Sequence, residues 1–199
     1  MSKKLQSSLK VAVTEFGKLL LSWSEDEDAI RVLLYYMIEC LSVKKSITAV
    51  MQKRSGAKNG DCNLYEVYEK LIGSVIKDIE SVFSQLRTFE RRLRDVNTAL
   101  MFAGTNAQEM LGSVRHYGFE DISGSFTAEH LLNIQLIRRQ YAREFDRKVS
   151  LLRELLDHNL YNGLTDKIDS CVEKWGNDSD DSFVDCESVN RFMIENGIR

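Results

Sequence analysis

The chain has 199 residues, of which 43% are hydrophobic and 29% are charged, and its formal net charge is −3. A chain of this length and hydrophobic content is able to bury a core, which excludes a disordered chain. The negative charge gives no overall attraction to nucleic acid. The sequence contains no proline. Because proline disrupts helix interiors and is common in turns, its absence favours an all-α fold.

The N-terminal region carries apolar residues at helical spacing on both sides of an acidic run. A first helix is predicted to end near Trp23. Ser24 and Glu27 then form a Ser-x-x-Glu capping box, which is typical of a helix N-terminus. The sequence therefore predicts a helical hairpin or a bent helix over residues 1–54. Merger of the two helices into one at Ser24 stays open, and a bend is favoured. Glycine and asparagine in residues 55–61 predict the loop that follows.

A long central coiled-coil helix is predicted over residues 63–103. Its apolar side chains recur at gaps of three and four, the period of a helix packed against other helices. These positions are Leu64, Tyr68, Leu71, Val75, Ile79, Val82, Leu86, Phe89, Leu93, Val96 and Leu100. The opposite side carries mixed charges, which is typical of a solvent-facing surface. The pattern predicts a single elongated domain, an antiparallel helical bundle or coiled coil with long helices.

The rest of the chain is predicted to contain an irregular connector and shorter helices. Four glycines punctuate the connector, residues 104–126, and favour turns. Periodic apolar residues predict C-terminal helices over residues 127–176. An acidic break and a short terminal helix occupy residues 177–199. Because so short a helix is marginal alone in water, it needs a groove, which belongs either to its own bundle or to a partner.

The sequence lacks the residue patterns on which catalysis depends. His116, His130 and His158 lie on separate segments, without cysteines or acids at metal-ligand spacing. Neither of the phosphate-binding patterns GxxxxGK(S/T) and GxGxxG occurs. Cys40 and Cys171 occupy apolar helix positions and are interpreted as buried structural thiols. We therefore expect no enzyme activity, no catalytic residue, no metal and no cofactor.

The same sequence limits the compartment and the partners. No apolar run approaches the roughly 18–20 residues that a membrane span requires, and the chain starts without a secretory segment. The cysteines form no CxxC pair, which favours reduced thiols in the cytoplasm or the nucleus. Acids dilute the arginine-rich helix faces, and no aromatic residues are interleaved with them. Contacts to other proteins through helical surfaces are therefore favoured over nucleic acid, and no membrane contact is expected.

The C-terminal third carries a more specific pattern. Residues 127–148 read TAEHLLNIQLIRRQYAREFDRK, with Tyr-x-x-Glu-x-x-x-Lys at Tyr141, Glu144 and Lys148. A leucine-rich continuation, an isolated Trp175, the acidic break and the terminal FMIENGIR follow. In this order, the features resemble the family of cyclin-dependent kinase 2-interacting protein (CINP). The chain resembles a divergent member, because the family's prolines before the fourth helix and after the tryptophan are missing.

The resemblance implies a non-catalytic adaptor in an AAA-type ATPase complex that acts in ribosome maturation and in DNA replication and genome maintenance. The partners it implies are AAA-type ATPase subunits, a second small helical adaptor, and cyclin-dependent or checkpoint kinases, in the nucleus or the cytoplasm. The partner-binding residues it suggests are Tyr141, Glu144, Lys148, Trp175, Phe192, Met193, Glu195, Gly197 and Arg199.

The residues alone also support plainer interpretations. Glu144 and Lys148 are an i,i+4 pair in the favourable orientation, and Trp175 near a helix end is typical of a cap on a bundle core. The alternative function is a structural coiled-coil subunit of a cytoskeletal or kinetochore-type complex. A helical RNA-binding protein ranks third.

Overall fold

The computed structural model describes residues 3–55, 62–116, 128–157, 164–176 and 183–198. Over these ranges the chain forms α-helices and no strand. The helices are α1 (Lys3–Ser55), α2 (Cys62–His116), α3 (Ala128–Leu156), α4 (Leu164–Trp175) and α5 (Cys186–Glu195). The predicted all-α fold with long, mutually packed helices is confirmed. None of the helices in these ranges has a stretch both long and apolar enough to cross a bilayer.

α1 runs without interruption through the acidic run that predicts the start of a second helix. Ser24 is exposed in the middle of α1. The acids that follow it serve tertiary contacts. Asp26 pairs with Arg92 of α2, and Glu27 accepts a hydrogen bond from Trp23 one turn earlier. The helix start predicted at Ser24 therefore does not occur.

α2 continues past Gly104, where the irregular connector was expected, and ends at His116. Gly104 is buried, and its carbonyl oxygen accepts a hydrogen bond from Nε2 of Gln135 on α3. A Cβ atom on Gly104 would clash with Cδ of Arg138. This glycine permits a close approach of α3, so it does not mark a turn. The remainder of the predicted connector, residues 117–126, lies outside the described residues.

The chain divides into two compact units by its internal contacts. Unit 1 comprises Met1–Glu27, Arg91–Ser150 and Gly176–Arg199, and unit 2 comprises Asp28–Glu90 and Leu151–Trp175. Unit 1 thus contains the first part of α1, the second part of α2, most of α3, and α5. Unit 2 contains the remainder of the three long helices together with α4.

The core of unit 1 lies where α1, α2, α3 and α5 meet. Its buried apolar side chains include Leu9, Val13, Phe16, Leu20, Trp23, Leu93, Leu100, Leu131, Ile134, Ile137, Tyr141 and Phe192. Phe192 of α5 meets Phe16 of α1 edge-on, with ring centroids 5.7 Å apart and an interplanar angle of 89°. Asp185 caps α5 by accepting hydrogen bonds from the backbone N–H groups of Glu187 and Ser188. The terminal helix therefore docks on its own unit, which resolves the alternative that its sequence left open.

Unit 2 contains an antiparallel hairpin of α1 and α2. The hydroxyl of Tyr65, near the start of α2, lies 3.3 Å from the carbonyl oxygen of Met51, near the end of α1. The buried side chains include Ile30, Leu34, Met37, Cys40, Ile79, Val82, Leu86, Leu152, Leu155, Leu164, Ile168, Cys171 and Trp175. The burial predicted for Trp175, Cys40 and Cys171 is confirmed. Leu71, also predicted to be buried, is 46% exposed, because the side chains at this end of the hairpin are not covered.

Leucines of α2 in unit 2 provide a matched test of this packing. Leu86 is fully buried and Leu71 is 46% exposed on the same helix. We expect Leu86→Ala to lower the free energy of unfolding by about 2–5 kcal/mol, because it leaves a cavity in the core. The control, Leu71→Ala, should change it by less than about 0.5 kcal/mol. Urea unfolding followed by circular dichroism measures both, and equal losses would contradict the burial pattern.

Candidate functional site

Helices α1 and α3 bring charged side chains together inside unit 1. Lys148 and Glu144 are fully buried, and Glu27 is nearly so. The ammonium group of Lys148 donates to Oε1 of Glu27 and lies 3.3 Å from Oε1 of Glu144. One buried cation therefore bridges two carboxylates. Together with Trp23 and Arg147, which contact the carboxylates, these residues form what we call the charge cluster.

Trp23 joins the cluster to an aromatic layer. Its indole N–H donates a hydrogen bond to Oε1 of Glu27. Its ring packs edge-on against Tyr141, with centroids 5.2 Å apart, and against Phe145 at 6.4 Å. Burial, with a further contribution from the Glu27 carboxylate, raises the pKa of the Tyr141 phenol above its ordinary value. Apolar rings thus shield one side of the cluster from water, which strengthens its ion pairs.

Glu144 connects the cluster to the segment that precedes α5. Nε of Arg147 donates to Oε2 of Glu144 at 3.0 Å, and the backbone N–H of Phe183 donates to the same oxygen at 3.1 Å. Burial alone would raise the pKa of the Glu144 carboxyl. The hydrogen bonds from Arg147 and Phe183 and the charge of Lys148 outweigh burial and hold that pKa below its ordinary value. Two carboxylates therefore face two cations, with no net charge left in the cluster.

A second ion pair joins α1 to α2 one residue before the cluster. Nη2 of Arg92 lies 2.6 Å from Oδ1 of Asp26, with the Asp26 side chain 1% exposed and that of Arg92 53% exposed. Burial raises the pKa of the Asp26 carboxyl, although the Arg92 guanidinium opposes this shift. Adjacent residues of a helix point about 100° apart. Asp26 and Glu27 accordingly contact different helices, α2 and α3.

The cluster predicts a defined response to acid. Since the folded-state pKa of Glu144 lies below the ordinary value of 4.5, its contribution to stability is present above that value and is lost as the pH falls through the folded-state pKa. We expect Glu144→Gln to lower the free energy of unfolding at neutral pH and to flatten its decline between about pH 5 and pH 3. Urea unfolding at several pH values measures this slope. An unchanged slope would contradict the assigned contacts.

Asp26→Asn is the matched variant, because the contribution of Asp26 to stability depends on pH in the opposite direction. Because the folded-state pKa of Asp26 is raised, its contribution to stability is present below the ordinary pKa and is lost as the pH rises through the folded-state value. The variant should therefore be no less stable than the parent protein at pH 7. A large loss at pH 7 would mean that the Arg92 pair outweighs the cost of burying the carboxylate.

The residues suggested by the family resemblance lie in three environments. Tyr141, Glu144 and Lys148 come together in unit 1 and are buried against the chain itself, as is Phe192. Met193 is half-buried, and Glu195 and Gly197 are exposed. Trp175 belongs to the core of unit 2, and Arg199 lies outside the described residues. The contact expected between Glu144 and Lys148 is present, and both side chains are buried, whereas such i,i+4 pairs are usually on the surface.

Sequence reasoning missed Trp23 and Glu27 as members of this site. Their spacing of four residues is the signal that could have identified them, because it places both side chains on one side of a helix. The same glutamate completes a Ser-x-x-Glu pattern, whose local interpretation is a helix cap. A buried tryptophan needs an acceptor for its indole N–H, which favours a position for Glu27 in the core over a position at a helix cap.

An open groove of about 580 Å³ lies between α1 and α2 in unit 1. Its described lining residues are Ser7, Ser8, Val11, Ala12, Glu15, Ala103, Asn106, Glu109 and Met110. The charged groups among them are two carboxylates, which repel the phosphate groups of a nucleotide. In the part of the chain that the structure describes, no group of three or more histidine, cysteine or acidic side chains is arranged to hold a metal ion.

Comparison with protein-family models and with curated proteins finds no match for this chain. The resemblance of residues 126–199 to the CINP family therefore rests on the order of the sequence features given above.

The charge cluster has each of its ionic groups paired within the fold. We infer that the cluster fixes the alignment of α1, α3 and the segment before α5, a role known for some buried polar groups.

Proposed function

We propose that this protein is a non-catalytic adaptor, a scaffold subunit whose helical surfaces bind other proteins. The observation that carries the proposal is that large apolar side chains remain exposed on helices that already bury other side chains in the cores of the two units. Phe102 is 68% exposed in unit 1, and Val32 is 67% exposed in unit 2. Others exposed to between 39% and 59% include Val11, Val43, Val50, Val67, Leu71, Leu132 and Leu136. Val67 with Leu71 and Leu132 with Leu136 are spaced by four residues, so in each pair the exposed side chains are neighbours on one side of a helix. Contiguous exposed apolar side chains of this kind mark sites of protein interaction.

The resemblance to the CINP family gives the proposal its finer form. We propose a subunit of an AAA-type ATPase complex that acts in ribosome maturation and in DNA replication and genome maintenance. A second small helical adaptor would accompany it in the nucleus or the cytoplasm. Contacts with cyclin-dependent or checkpoint kinases belong to the same proposal. The support for this form is the order of the features in residues 126–199.

Affinity purification of the full chain with mass spectrometry tests the proposal. We expect AAA-type ATPase subunits to co-purify at physiological salt. Recovery of microtubule or kinetochore proteins in their place would favour the alternative, a structural coiled-coil subunit. Calorimetry with ATP and metal analysis of the purified protein provide a second check, because tight binding of ATP or stoichiometric zinc would contradict a non-catalytic adaptor.

The proposal also predicts no salt-sensitive binding of DNA or RNA. The net charge is −3, and several arginines of the helices already have acidic partners, such as Arg92 with Asp26 and Arg147 with Glu144. Nucleic-acid binding depends on cations that can neutralise phosphates. A gel-shift assay at physiological salt should show no complex. Sub-micromolar binding that weakens steeply with added salt would favour an RNA-binding protein.

A further inference from the structure

α3 has a second side, exposed to water, with the spacing of a helix contact. Its buried side faces the core of unit 1 and includes Leu131, Ile134 and Tyr141. Exposed residues recur on another side at gaps of three and four, and they are Glu129, Leu132, Leu136, Arg139, Arg143 and Asp146. We call these six residues the α3 stripe. Gaps that alternate between three and four are the period at which one helix packs against another, so the stripe has the pattern of a surface that receives a second helix.

Two leucines form the apolar part of the α3 stripe. Leu132 is 49% exposed and Leu136 is 50% exposed, and they lie about one helical turn apart. Met101 of α2 adds apolar surface beside them. It is 41% exposed, and its sulfur lies 3.6 Å from Nη1 of Arg138, the residue next to Arg139. Covering this surface with another helix removes apolar area from water, which favours association.

Charged residues flank the two leucines. Glu129 precedes Leu132 by three residues, and Arg139 follows Leu136 by three. Among the residues that the structure describes, none forms an ion pair with Glu129, Arg139 or Arg143. Arg139 and Arg143 are like charges four residues apart, a spacing that destabilises an isolated helix slightly. These unpaired charges therefore gain from an opposite charge on another molecule.

The balance of charge on this surface does not favour a strongly acidic or a strongly basic partner. The α3 stripe carries two acids and two arginines, so it has no net charge. Beside it, Arg191 and Glu195 of α5 line one small cavity with Leu136, and Arg191 pairs with Glu187. The half-buried Arg138 packs against α2 at Gly104. A partner that presents both signs in a complementary order fits this surface best.

The stripe is itself such a partner, because its order of residues is complementary to its own reverse. In an antiparallel pair aligned on the leucines, Leu132 of one α3 faces Leu136 of the other. Glu129 and Arg139 are each three residues farther out, so Glu129 then faces Arg139 of the second copy. Two-fold symmetry repeats every contact. The interface therefore contains two leucine pairs and two ion pairs.

Other alignments of two stripes bring like charges together. A shift by one heptad puts Glu129 opposite Asp146 and places both leucines opposite arginines. A parallel pair puts Arg139 opposite Arg139 and Arg143 opposite Arg143. Like charges in contact disfavour an alignment. The charges thus select the antiparallel alignment that also pairs the leucines.

We propose that the α3 stripe is the contact surface of a homodimer in which two copies of this chain pack their α3 helices antiparallel. The inference goes beyond the adaptor function and does not depend on it. The part of the stripe from Glu129 to Arg139 is about 15 Å long. Such a contact is smaller than the roughly 1,000 Å² of a stable interface, so the dimer is weak and exchanges with the monomer.

Sedimentation velocity of the full chain over a range of concentrations tests the proposal. We expect a reversible monomer–dimer equilibrium with a micromolar dissociation constant. Leu132→Asp should weaken the dimer at least about tenfold, because it places a carboxylate in the apolar contact. The control is Val11→Asp, which changes a 59% exposed residue in the groove between α1 and α2 and should leave the dimer unchanged. A parent chain that stays monomeric up to millimolar concentration, or equal effects of the two variants, would overturn the proposal.

A mixing experiment tests the alignment. Glu129→Arg sets two arginines opposite each other in the dimer, and Arg139→Glu sets two glutamates opposite each other. Each variant alone should dimerise at least about tenfold more weakly than the parent, a change of about 1.4 kcal/mol. An equimolar mixture forms two ion pairs of opposite charge and should recover an affinity within about threefold of the parent. A mixture as weak as the separate variants would rule out the antiparallel alignment, provided that circular dichroism shows equal helical content.

Two further outcomes separate the homodimer from the adaptor function. A monomeric parent chain whose AAA-type ATPase subunits are lost on Leu132→Asp would identify another protein as the occupant and overturn the homodimer. A dimer that Leu132→Asp abolishes would support the homodimer even where no such subunits co-purify, and only the adaptor proposal would then fail.

Discussion

Replacing Lys148 with methionine should lower the free energy of unfolding by about 3–5 kcal/mol. Methionine has a similar length and no charge, so the variant keeps much of the volume while removing the ammonium that bridges Glu27 and Glu144. Both carboxylates lie in the core, where an ion that loses an opposite charge is costly. Glu144 keeps its bonds to Arg147, and we therefore expect most of the loss to come from Glu27. Urea unfolding at pH 7 measures the change.

Lys18 provides the surface control for this prediction. Its ammonium lies 2.9 Å from Oε1 of Glu15, and both side chains are more than 60% exposed. Lys18→Met should cost no more than about 1 kcal/mol, because water screens an exposed pair. A double-mutant cycle with Glu27→Gln tests the pairing itself. The double variant should lose less stability than the two single changes added together, and strict additivity would mean that Lys148 and Glu27 do not interact.

Helical periodicity in the sequence located part of the core of α2, since Ile79, Val82 and Leu100 of the predicted positions are buried, whereas Phe89 and Val96 are half-buried. Leu86 and Leu93 are both fully buried, as the spacing of three and four predicts. The same spacing includes Leu71, which is 46% exposed. Periodicity identifies the apolar side of a helix, but it carries no information about where the covering helices end. The length over which that side is buried therefore had to come from the structure.

The acidic run and the glycines show why local patterns misplaced the helix ends. Glu27 fits a capping box, yet its partner Lys148 lies 121 residues away in the chain. A local pattern cannot distinguish an acid that caps a helix from one that pairs with a distant cation. Gly104 similarly fits a turn, whereas its role is to admit Gln135 and Arg138 of α3. Both misassignments arise because tertiary contacts outweigh local preferences of about 1 kcal/mol.

The site could be predicted only in part for the same reason. The i,i+4 pairing of Glu144 with Lys148 follows from helical geometry and is present at 3.3 Å. That the pair is buried depends on Trp23 and Glu27 of α1, which no spacing within α3 reveals. The family resemblance selected Tyr141, Glu144 and Lys148 as partner-binding residues. Their burial inside unit 1 leaves the exposed surfaces of the helices for partners.

Phe192→Ala should lower the free energy of unfolding by about 3–5 kcal/mol, because Phe192 is the buried anchor that holds α5 on unit 1. Its side chain is 1% exposed and its ring packs edge-on against Phe16. Had this helix docked only on a partner, the same substitution would leave the isolated chain unaffected. Thermal and urea unfolding of the purified protein therefore distinguish docking on unit 1 from docking on a partner.

Ile194 of the same helix is the matched control, since it is 78% exposed. Ile194→Ala shortens an apolar side chain at a position that faces water, so it should change stability by less than about 0.5 kcal/mol. Truncation after Asp178 extends the test, because it also removes the Phe183 N–H that donates to Glu144. The truncated chain should be less stable than Phe192→Ala and should lose stability less steeply in acid. A truncated chain with the parent's unfolding curve would show that α5 contributes nothing to unit 1.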